Sequence, residues 1–413
     1  MFFGWYVVAG TFVSQMFVVG FFSYSASLLV PSVREEFGVT MEQVMYSLTA
    51  GTFGGMILMP VAGVMFDRYP ARWIMSIGTV LLAGGLWTMA GTSSVTQFIL
   101  AFGVTMAVAN SFTGSLASQT TISRWFTVTR GRALGISAVG TSVGGIAIPA
   151  LLTSWIETSG WRGSLENLAL CILLILLPLL VLTIRGRPSD IGLQAEGCAP
   201  DIGLSADIPE LKMRDIVRQP GYWYIGLTLG LLFSVYASIL ANITPYATGL
   251  GASAAQASTL IMVVAVMGLV GKLAFGMAAD KFNLKVGLWL AMALVFIAFL
   301  LMASEPGYPL MLAATALLGL AAGGMLPVWG AMMARVFGLI SYGRAMGLMG
   351  PLITLLVMPG FAVAGRLYDA TGGYQTCLYI FAAVIAVAAL LLIPLKLETS
   401  MTTVATTGVR PTP

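Results

Sequence analysis

The amino-acid sequence predicts an all-α integral membrane protein with twelve transmembrane helices in two pseudo-symmetric six-helix bundles. Three observations support this: an extreme apolar composition, twelve apolar stretches long enough to span a membrane, and two motifs that recur in the second half. Of the 413 residues, 58% are hydrophobic and 9% are charged, whereas a soluble domain carries about 25% charged residues. Unbroken apolar runs also exclude an outer-membrane barrel, whose strands alternate apolar and polar residues.

The predicted spans follow from length, because a helix needs about 20 apolar residues to cross a hydrocarbon core about 30 Å thick. The first six cover about residues 5–30, 44–66, 73–92, 97–123, 133–156 and 165–184. The last six cover about residues 222–248, 255–279, 285–303, 308–334, 345–367 and 375–395. The domains are therefore an N-terminal bundle over 1–184, a cytoplasmic central loop over 185–221, a C-terminal bundle over 222–397 and a disordered tail over 398–413.

The distribution of Lys and Arg predicts that both termini are cytoplasmic, because basic residues concentrate in cytoplasmic loops. With that orientation, sixteen of the 20 basic residues fall on the cytoplasmic side. Three fall on the outer side, and Lys272 falls inside a span. In the central loop, the stretch from Glu210 to Arg218 is expected to form a short surface helix.

Two motifs recur in the same order at nearly one offset. The stretch 63–72, with Gly63, Asp67, Arg68 and Arg72, corresponds to 276–285, with Gly276, Asp280, Lys281 and Lys285, 213 residues later. The stretch Gly131–Gly135 corresponds to Gly343–Gly347, 212 residues later. An even number of spans in each half makes such repeats parallel, related by an axis along the membrane normal.

The loop motif, repeated between spans eight and nine, resembles that of the major facilitator superfamily. It departs from the family pattern where Pro70 and Ala71 replace the usual Gly. The span-five region Trp125–Gly145 resembles the signature of the monocarboxylate transporter group, and the runs 187–193 and 365–372 resemble its bacterial members. The resemblance implies a transporter of a bacterial inner membrane that works by alternating access.

The charged loop residues have two interpretations. The resemblance implies that Asp67, Arg68, Arg72, Asp280 and Lys281 form a conformational latch that holds the two halves together in the outward-facing state. A carboxylate at such a helix end can meet a helix N-terminus and a nearby Arg. The alternative is an ordinary interfacial charge cluster.

Lys272 is the unusual residue, because it lies eight residues before Asp280 in span eight, about 12 Å inside the membrane boundary. Such a Lys costs roughly 2.5–3.5 kcal/mol on insertion scales, and no carboxylate is predicted at its depth. It either snorkels or pairs structurally, or it anchors an anionic substrate. Monocarboxylate transporters carry a cation in a similar context, usually Arg, and Gly268 stands where the eukaryotic members place an Asp.

Further candidates for substrate binding are Gln15, Asn110 and Tyr236, near the middle of spans one, four and seven. The resemblance places these spans, with span ten, around the central cavity. Each side chain can bond a carboxylate or a hydroxyl without adding charge; a helix–helix hydrogen bond is the alternative. The small residues of span five, from Gly135 to Gly145, are predicted to allow close helix packing.

These features favour a secondary or facilitative transporter of a small organic anion, a monocarboxylate, with Lys272 as the anchor. The alternatives are an exporter of drugs or other small molecules and, from another class, a transporter-like receptor. An enzyme is excluded, because there is no His, no intramembrane acid pair and no metal-ligand spacing among the three cysteines. We expect a monomer in the bilayer with no cofactor and no nucleic-acid partner. Proton symport, uniport and anion exchange stay open.

Overall fold

The structure, a computed structural model, describes residues 2–126, 129–186, 188, 192–194, 213–279 and 283–395. This part of the chain consists of helices and their connections and contains no strand. The fold class predicted from the sequence is confirmed.

The helices of the first half are joined by short connections. They are α1 Gly4–Val19, α2 Ala26–Phe37, α3 Met41–Arg68, α4 Ala71–Ala90, α5 Val95–Phe112, α6 Ser115–Trp125, α7 Arg130–Cys171 and α8 Leu177–Thr183. Two π-helical turns, Gly20–Ser25 and Ile172–Leu176, join α1 to α2 and α7 to α8.

The described helices of the second half begin with a short one and include the longest. They are α9 Met213–Arg218, α10 Pro220–Ala241, α11 Ile243–Gly249, α12 Ala254–Ala279, α13 Leu284–Ala303, α14 Tyr308–Thr371 and α15 Gln375–Leu391. Helix α9 falls within the surface helix predicted to begin at Glu210, of which residues 210–212 lie outside the description.

In the described ranges, ten helical stretches are long and apolar enough to cross a membrane, and Gln375–Leu391 is a shorter apolar helix. One of the ten, Arg132–Thr183, has 52 residues. It is broken at Gly160, whose backbone (φ 69°, ψ 174°) is one that glycine adopts without a steric penalty. With this stretch counted as two crossings and Gln375–Leu391 added, the described helices give the twelve predicted crossings.

Helix α14 contains two crossings, Tyr308–Phe337 and Ala345–Thr371. As a straight helix its 64 residues would extend about 96 Å. However, its two ends lie close together. The side chain of Gln375, four residues after α14, donates a hydrogen bond to the carbonyl of Ala303, five residues before α14. The chain therefore reverses direction between the two crossings.

Two faces of the bundle are used as references below. The distal face carries the connections 38–40, 91–94, 304–307 and 372–374. The proximal face carries the α3–α4 connection at 69–70 and the start of α10. The domain boundaries stay predictions, since residues 195–212 and the tail from residue 396 lie outside the described ranges.

Close packing of glycines joins helices within each half. A Cβ at Gly140 or Gly144 of α7 would overlap the backbone carbonyl of Phe12 or Met16 in α1. The predicted packing role of the span-five small residues is confirmed at these two positions, whereas Gly135 has no neighbour within 4 Å. Such close approaches are typical of membrane helices, where packing replaces the hydrophobic effect between helices.

The same device fixes α12 against α14. A Cβ at Gly319 would lie 2.8 Å from Val264 Cα, and one at Gly323 would lie 2.6 Å from the Lys272 backbone nitrogen. The obstacles are backbone atoms, which cannot move as a side-chain end does. This contact sets the position of the α12 backbone at Lys272.

We therefore expect Gly323→Ala to lower the melting temperature of the detergent-purified protein, equivalent to about 1–3 kcal/mol of overpacking. Gly347→Ala in the same helix is the matched control, because no atom lies within 4 Å of its Cβ position. There the substitution should be neutral or stabilising, since Ala is the better helix former. Equal melting temperatures for the two variants would contradict the packing.

Candidate functional site

The two halves are joined at the distal face by a helix cap that crosses between them. The Asp369 carboxylate in α14 accepts hydrogen bonds from the backbone nitrogens of Met41 (2.9 Å) and Glu42 (2.7 Å), the first residues of α3. Gly365, one turn earlier in α14, packs against Glu42 so closely that a Cβ would lie 2.6 Å from Glu42 Cα. A carboxylate at a helix N-terminus satisfies free N–H groups and complements the helix dipole.

Deeper contacts continue this closure towards the middle of the bundle. The hydroxyls of Ser27 in α2 and Thr244 in α11 lie 3.1 Å apart. Thr49 in α3 donates to Met358 O in α14 at 3.3 Å. The halves are therefore in contact from the distal face inwards.

Lys272 forms the next contact in this series. Its Nζ reaches from α12 to α7, where it donates to Thr141 Oγ1 at 2.7 Å and to Ser142 Oγ at 3.1 Å. The Ala138 carbonyl lies 3.5 Å from the same nitrogen. Thr141 donates its own proton to Ala138 O at 2.8 Å, so its free lone pairs face the ammonium. The sequence predicted the residue but not these partners.

The ammonium points away from the nearer membrane surface. Lys272 lies seven residues before the proximal end of α12, about 10 Å along the axis, whereas Thr141 lies eleven residues, about 16 Å, from the proximal start of α7. Helical side chains tilt towards the helix N-terminus, which for α12 is at the distal face. The contact is therefore the opposite of snorkelling towards the proximal surface.

The partners of Lys272 carry no charge. Within the described ranges, no carboxylate lies within 4 Å of the Lys272 Nζ. The ion pair seen in those ranges, between Arg162 and Glu36, lies at the distal face. Lys272 is only partly buried. Hydroxyl and carbonyl oxygens solvate an ammonium without neutralising it, so the site keeps a net positive charge between the halves.

Two tyrosines stand next to this contact on its distal side. The ring of Tyr24 packs against Gly145, one turn beyond Thr141 on α7, with 3.0 Å between the ring and a Cβ placed at Gly145. Tyr236 lies on α10, which contacts the π-helical turn that carries Tyr24. Neither hydroxyl has a hydrogen-bond partner in the described part of the chain, and both side chains are partly exposed.

Tyr24 was missed by sequence reasoning. It lies in the π-helical turn Gly20–Ser25, where the Ser25 hydroxyl donates to Gly20 O at 2.7 Å. Such turns are frequent at functional sites. The signal available in the sequence was the polar stretch Ser23-Tyr24-Ser25 inside an apolar span.

A cavity of about 240 Å³ with a mixed polar and apolar lining lies on the proximal side of Lys272, in the first half. It is lined by Gln15, Ser118, Gln119, Ser137 and Ala138, among others. Ala138 therefore lines the cavity and also places its carbonyl oxygen 3.5 Å from the ammonium. The cavity offers polar groups beside the cation.

The structure places Gln15 at this cavity and Tyr236 on α10, the helix that contacts the turn of Tyr24, whereas the described residues that line the cavity do not include Asn110. Both polar atoms of Gln15 are engaged, since its amide donates to Ser137 at 2.7 Å and accepts from Ser115 at 3.2 Å. This is the helix–helix bond considered as the alternative. Asn110 is half-buried, and its side chain makes no hydrogen bond to any residue described.

The predicted latch is only partly visible. Arg68 is exposed, and the Arg72 guanidinium lies 5.7 Å from the centre of the Trp73 ring. The side chain of Asp67 and the whole of Asp280 and Lys281 lie outside the described residues. The latch therefore stays a prediction.

Comparisons with known proteins agree with the fold. The Major Facilitator Superfamily model matches residues 12–274 and 226–411. An "MFS-type transporter" of Gibberella moniliformis is 27% identical over 78% of this chain and 74% of its own length. "Monocarboxylate transporter 12" of Rattus norvegicus is 24% identical over 90% of this chain and 81% of its own length. The solved structure of a D-xylose-proton symporter has a TM-score of 0.73 and 16% identity, covering 96% of this chain and 98% of that one.

Proposed function

Since the chain belongs to the major facilitator superfamily, whose members are transporters and not enzymes, we propose that it moves a small organic anion, with monocarboxylates as the substrate class. The observation that carries this proposal is Lys272, a cation between the two halves whose partners among the described residues are neutral oxygens. An ionisable group inside a membrane protein is a functional candidate by default. A carboxylate is the ligand that restores charge balance there.

The surroundings of Lys272 support a small substrate with a second polar group. One turn of α7, about 5.4 Å, separates Thr141 from Gly145, and thus the ammonium contact from the Tyr24 contact. A carboxylate on Lys272 would leave a hydroxyl or carbonyl of the same molecule near Tyr24 and Tyr236. The relative named Monocarboxylate transporter 12 supports the same class.

Alternating access explains why the cation lies at the edge of the closed region. The described contacts between the halves run from Asp369 at the distal face to Lys272. In our proposal this is the inward-facing state, the proximal face is cytoplasmic, and both termini lie on that side in a bacterial inner membrane. The latch of Asp67, Arg68, Arg72, Asp280 and Lys281 would then act in the opposite state.

Substrate class is tested by thermal stabilisation and by flux. A ligand stabilises the folded protein in proportion to the logarithm of its concentration over Kd. We expect monocarboxylates, and not matched primary amides or lipophilic cations, to raise the melting temperature and to enter proteoliposomes that contain the protein. Extrusion of lipophilic cations without carboxylate flux would establish the exporter alternative, and binding without flux would establish a receptor.

Replacing Tyr24 tests the second part of the site. We expect Tyr24→Phe to raise KM about 5- to 30-fold for a 2-hydroxy acid, because one hydrogen bond to a charged or polar group is lost. The KM for the parent acid without the hydroxyl should change little. Tyr6→Phe is the control, since that ring lies exposed on α1. An equal loss for both acids would contradict the assignment of Tyr24 to the second polar group.

A further inference from the structure

An apolar groove lies on the outer surface of the first half, away from the contact between the halves. It has a volume of about 440 Å³ and lies between the end of α3, α4 and the end of α5. Its floor and walls include Met65, Tyr69, Trp73, Ile77, Leu81 and Phe112. Trp73, Ile77 and Leu81 are 60%, 58% and 51% exposed. Nothing in the described part of the chain covers these side chains.

The groove has the length of one membrane leaflet. Trp73, Ile77 and Leu81 are each four residues from the next, so they share one face of α4, and Leu81 lies about 15 Å from the proximal end of that helix. Half of a hydrocarbon core about 30 Å thick is about 15 Å. An acyl chain that enters at the proximal surface would therefore fill the groove to about the middle of the bilayer.

Positive charge lies at the proximal end of the groove. Arg72 leans over the ring of Trp73, at 5.7 Å from its centre, and its Nε is buried without a hydrogen-bond partner in the described ranges. Arg68 is exposed in the same connection. Asp67, whose side chain lies outside the description, offsets one of the two Arg charges. The stretch 67–72 therefore has a formal charge of +1. Trp and Tyr at this level are typical of the membrane–water interface.

We propose that this groove binds one acyl chain of an anionic phospholipid from the proximal leaflet, with its headgroup on Arg72 and Arg68. The lining accepts hydrocarbon, the length matches one leaflet, and two Arg side chains at the proximal end supply positive charge for the headgroup. Basic residues near the membrane surface attract anionic lipids in this way. The inference is independent of the transported substrate.

Native mass spectrometry of the full-length protein tests the site with phosphatidylglycerol and phosphatidylcholine of identical acyl chains. We expect the double variant Arg68→Gln/Arg72→Gln to weaken phosphatidylglycerol binding about 5- to 30-fold, with little effect on phosphatidylcholine. The control Arg214→Gln/Arg218→Gln removes the same charge from the exposed side of α9. Phosphatidylglycerol affinity should not change in the control.

A second variant tests the groove itself. Ile77→Trp should fill it and reduce by one the number of tightly bound lipids of either kind. Melting temperatures identify any variant that fails to fold. An equal loss of phosphatidylglycerol in both double variants, or an unchanged number of lipids in Ile77→Trp, would overturn the proposal. So would a dimer that disappears in Ile77→Trp, because a second copy would then occupy the groove.

Discussion

Replacing Lys272 with Gln is expected to reduce carboxylate transport about 10- to 100-fold. Hydrogen bonds to a charged group contribute about 1.5–3 kcal/mol, and each 1.4 kcal/mol corresponds to a factor of ten. Gln keeps an N–H donor on a side chain one bond shorter than that of Lys but removes the charge. The measurement is initial uptake of a labelled monocarboxylate into proteoliposomes, with protein insertion quantified for each variant. Lys272→Arg, which keeps the charge, should retain part of the activity.

Stability distinguishes a substrate anchor from a structural contact. Burial of an ammonium among neutral oxygens has a cost, so Lys272→Gln should not lower the melting temperature of the empty protein. It should abolish the stabilisation by carboxylates. Lys285→Gln is the matched control, because Lys285 Nζ donates to Ile393 O and Leu395 O within the second half, away from α7. Undiminished uptake by Lys272→Gln, or a loss in Lys285→Gln of the same size, would remove Lys272 as the anchor.

The helices and their number follow from composition and length alone. An apolar stretch of about 20 residues corresponds to one membrane crossing. Length alone therefore predicted separate crossings even where the structure has one continuous helix. The break at Gly160 is an example, since the chain must turn between two crossings. The repeated motifs also indicated the two halves without any knowledge of their packing.

Contacts across the halves could not be predicted, because they depend on which helix faces meet. Lys272 was identified by the cost of its charge, yet nothing in the sequence pointed to Thr141 and Ser142, some 130 residues away. For Gln15 the sequence favoured a helix–helix hydrogen bond over substrate binding, but it did not identify the partners, which the structure shows to be Ser115 and Ser137. The π-helical turn that presents Tyr24 has no sequence signature comparable to a cap or a proline.

The cap at Asp369 also could not be predicted from the sequence, although Asp369 is one of the few acidic residues near the predicted outer face. Its partners are backbone N–H groups, which every residue carries, so no complementary side chain marks them. The distal cap joins α14 to α3, whereas Lys272 joins α12 to α7, so the halves meet at two separate helix pairs. The two sites should therefore affect different steps of transport. The cap should affect the balance between conformations, and the cation should affect the recognition of substrate.

Asp369→Ala is expected to shift the protein away from the distally closed state. Loss of a helix N-cap costs about 0.5–2 kcal/mol, and one or two kcal/mol changes a two-state ratio about 5- to 30-fold. Spin labels at Glu35 and Ser304, exposed distal positions in different halves, would report this on a background lacking the native cysteines. We expect a longer distal distance to gain population in Asp369→Ala, and to a smaller extent in Asp369→Asn, which keeps one acceptor.

Glu42→Gln is the decisive control for this prediction. It removes one negative charge from the same α3 terminus, but the Glu42 carboxylate accepts a hydrogen bond from Tyr46 within its own helix, at 2.6 Å, and does not reach the other half. If charge at the distal face governed closure, both variants would shift the distance distribution alike. If the cap governs it, only the Asp369 variants will do so, while carboxylate stabilisation through Lys272 persists in all of them. An unchanged distribution in Asp369→Ala would show that the packing of Gly365 on Glu42 suffices to hold the distal face closed.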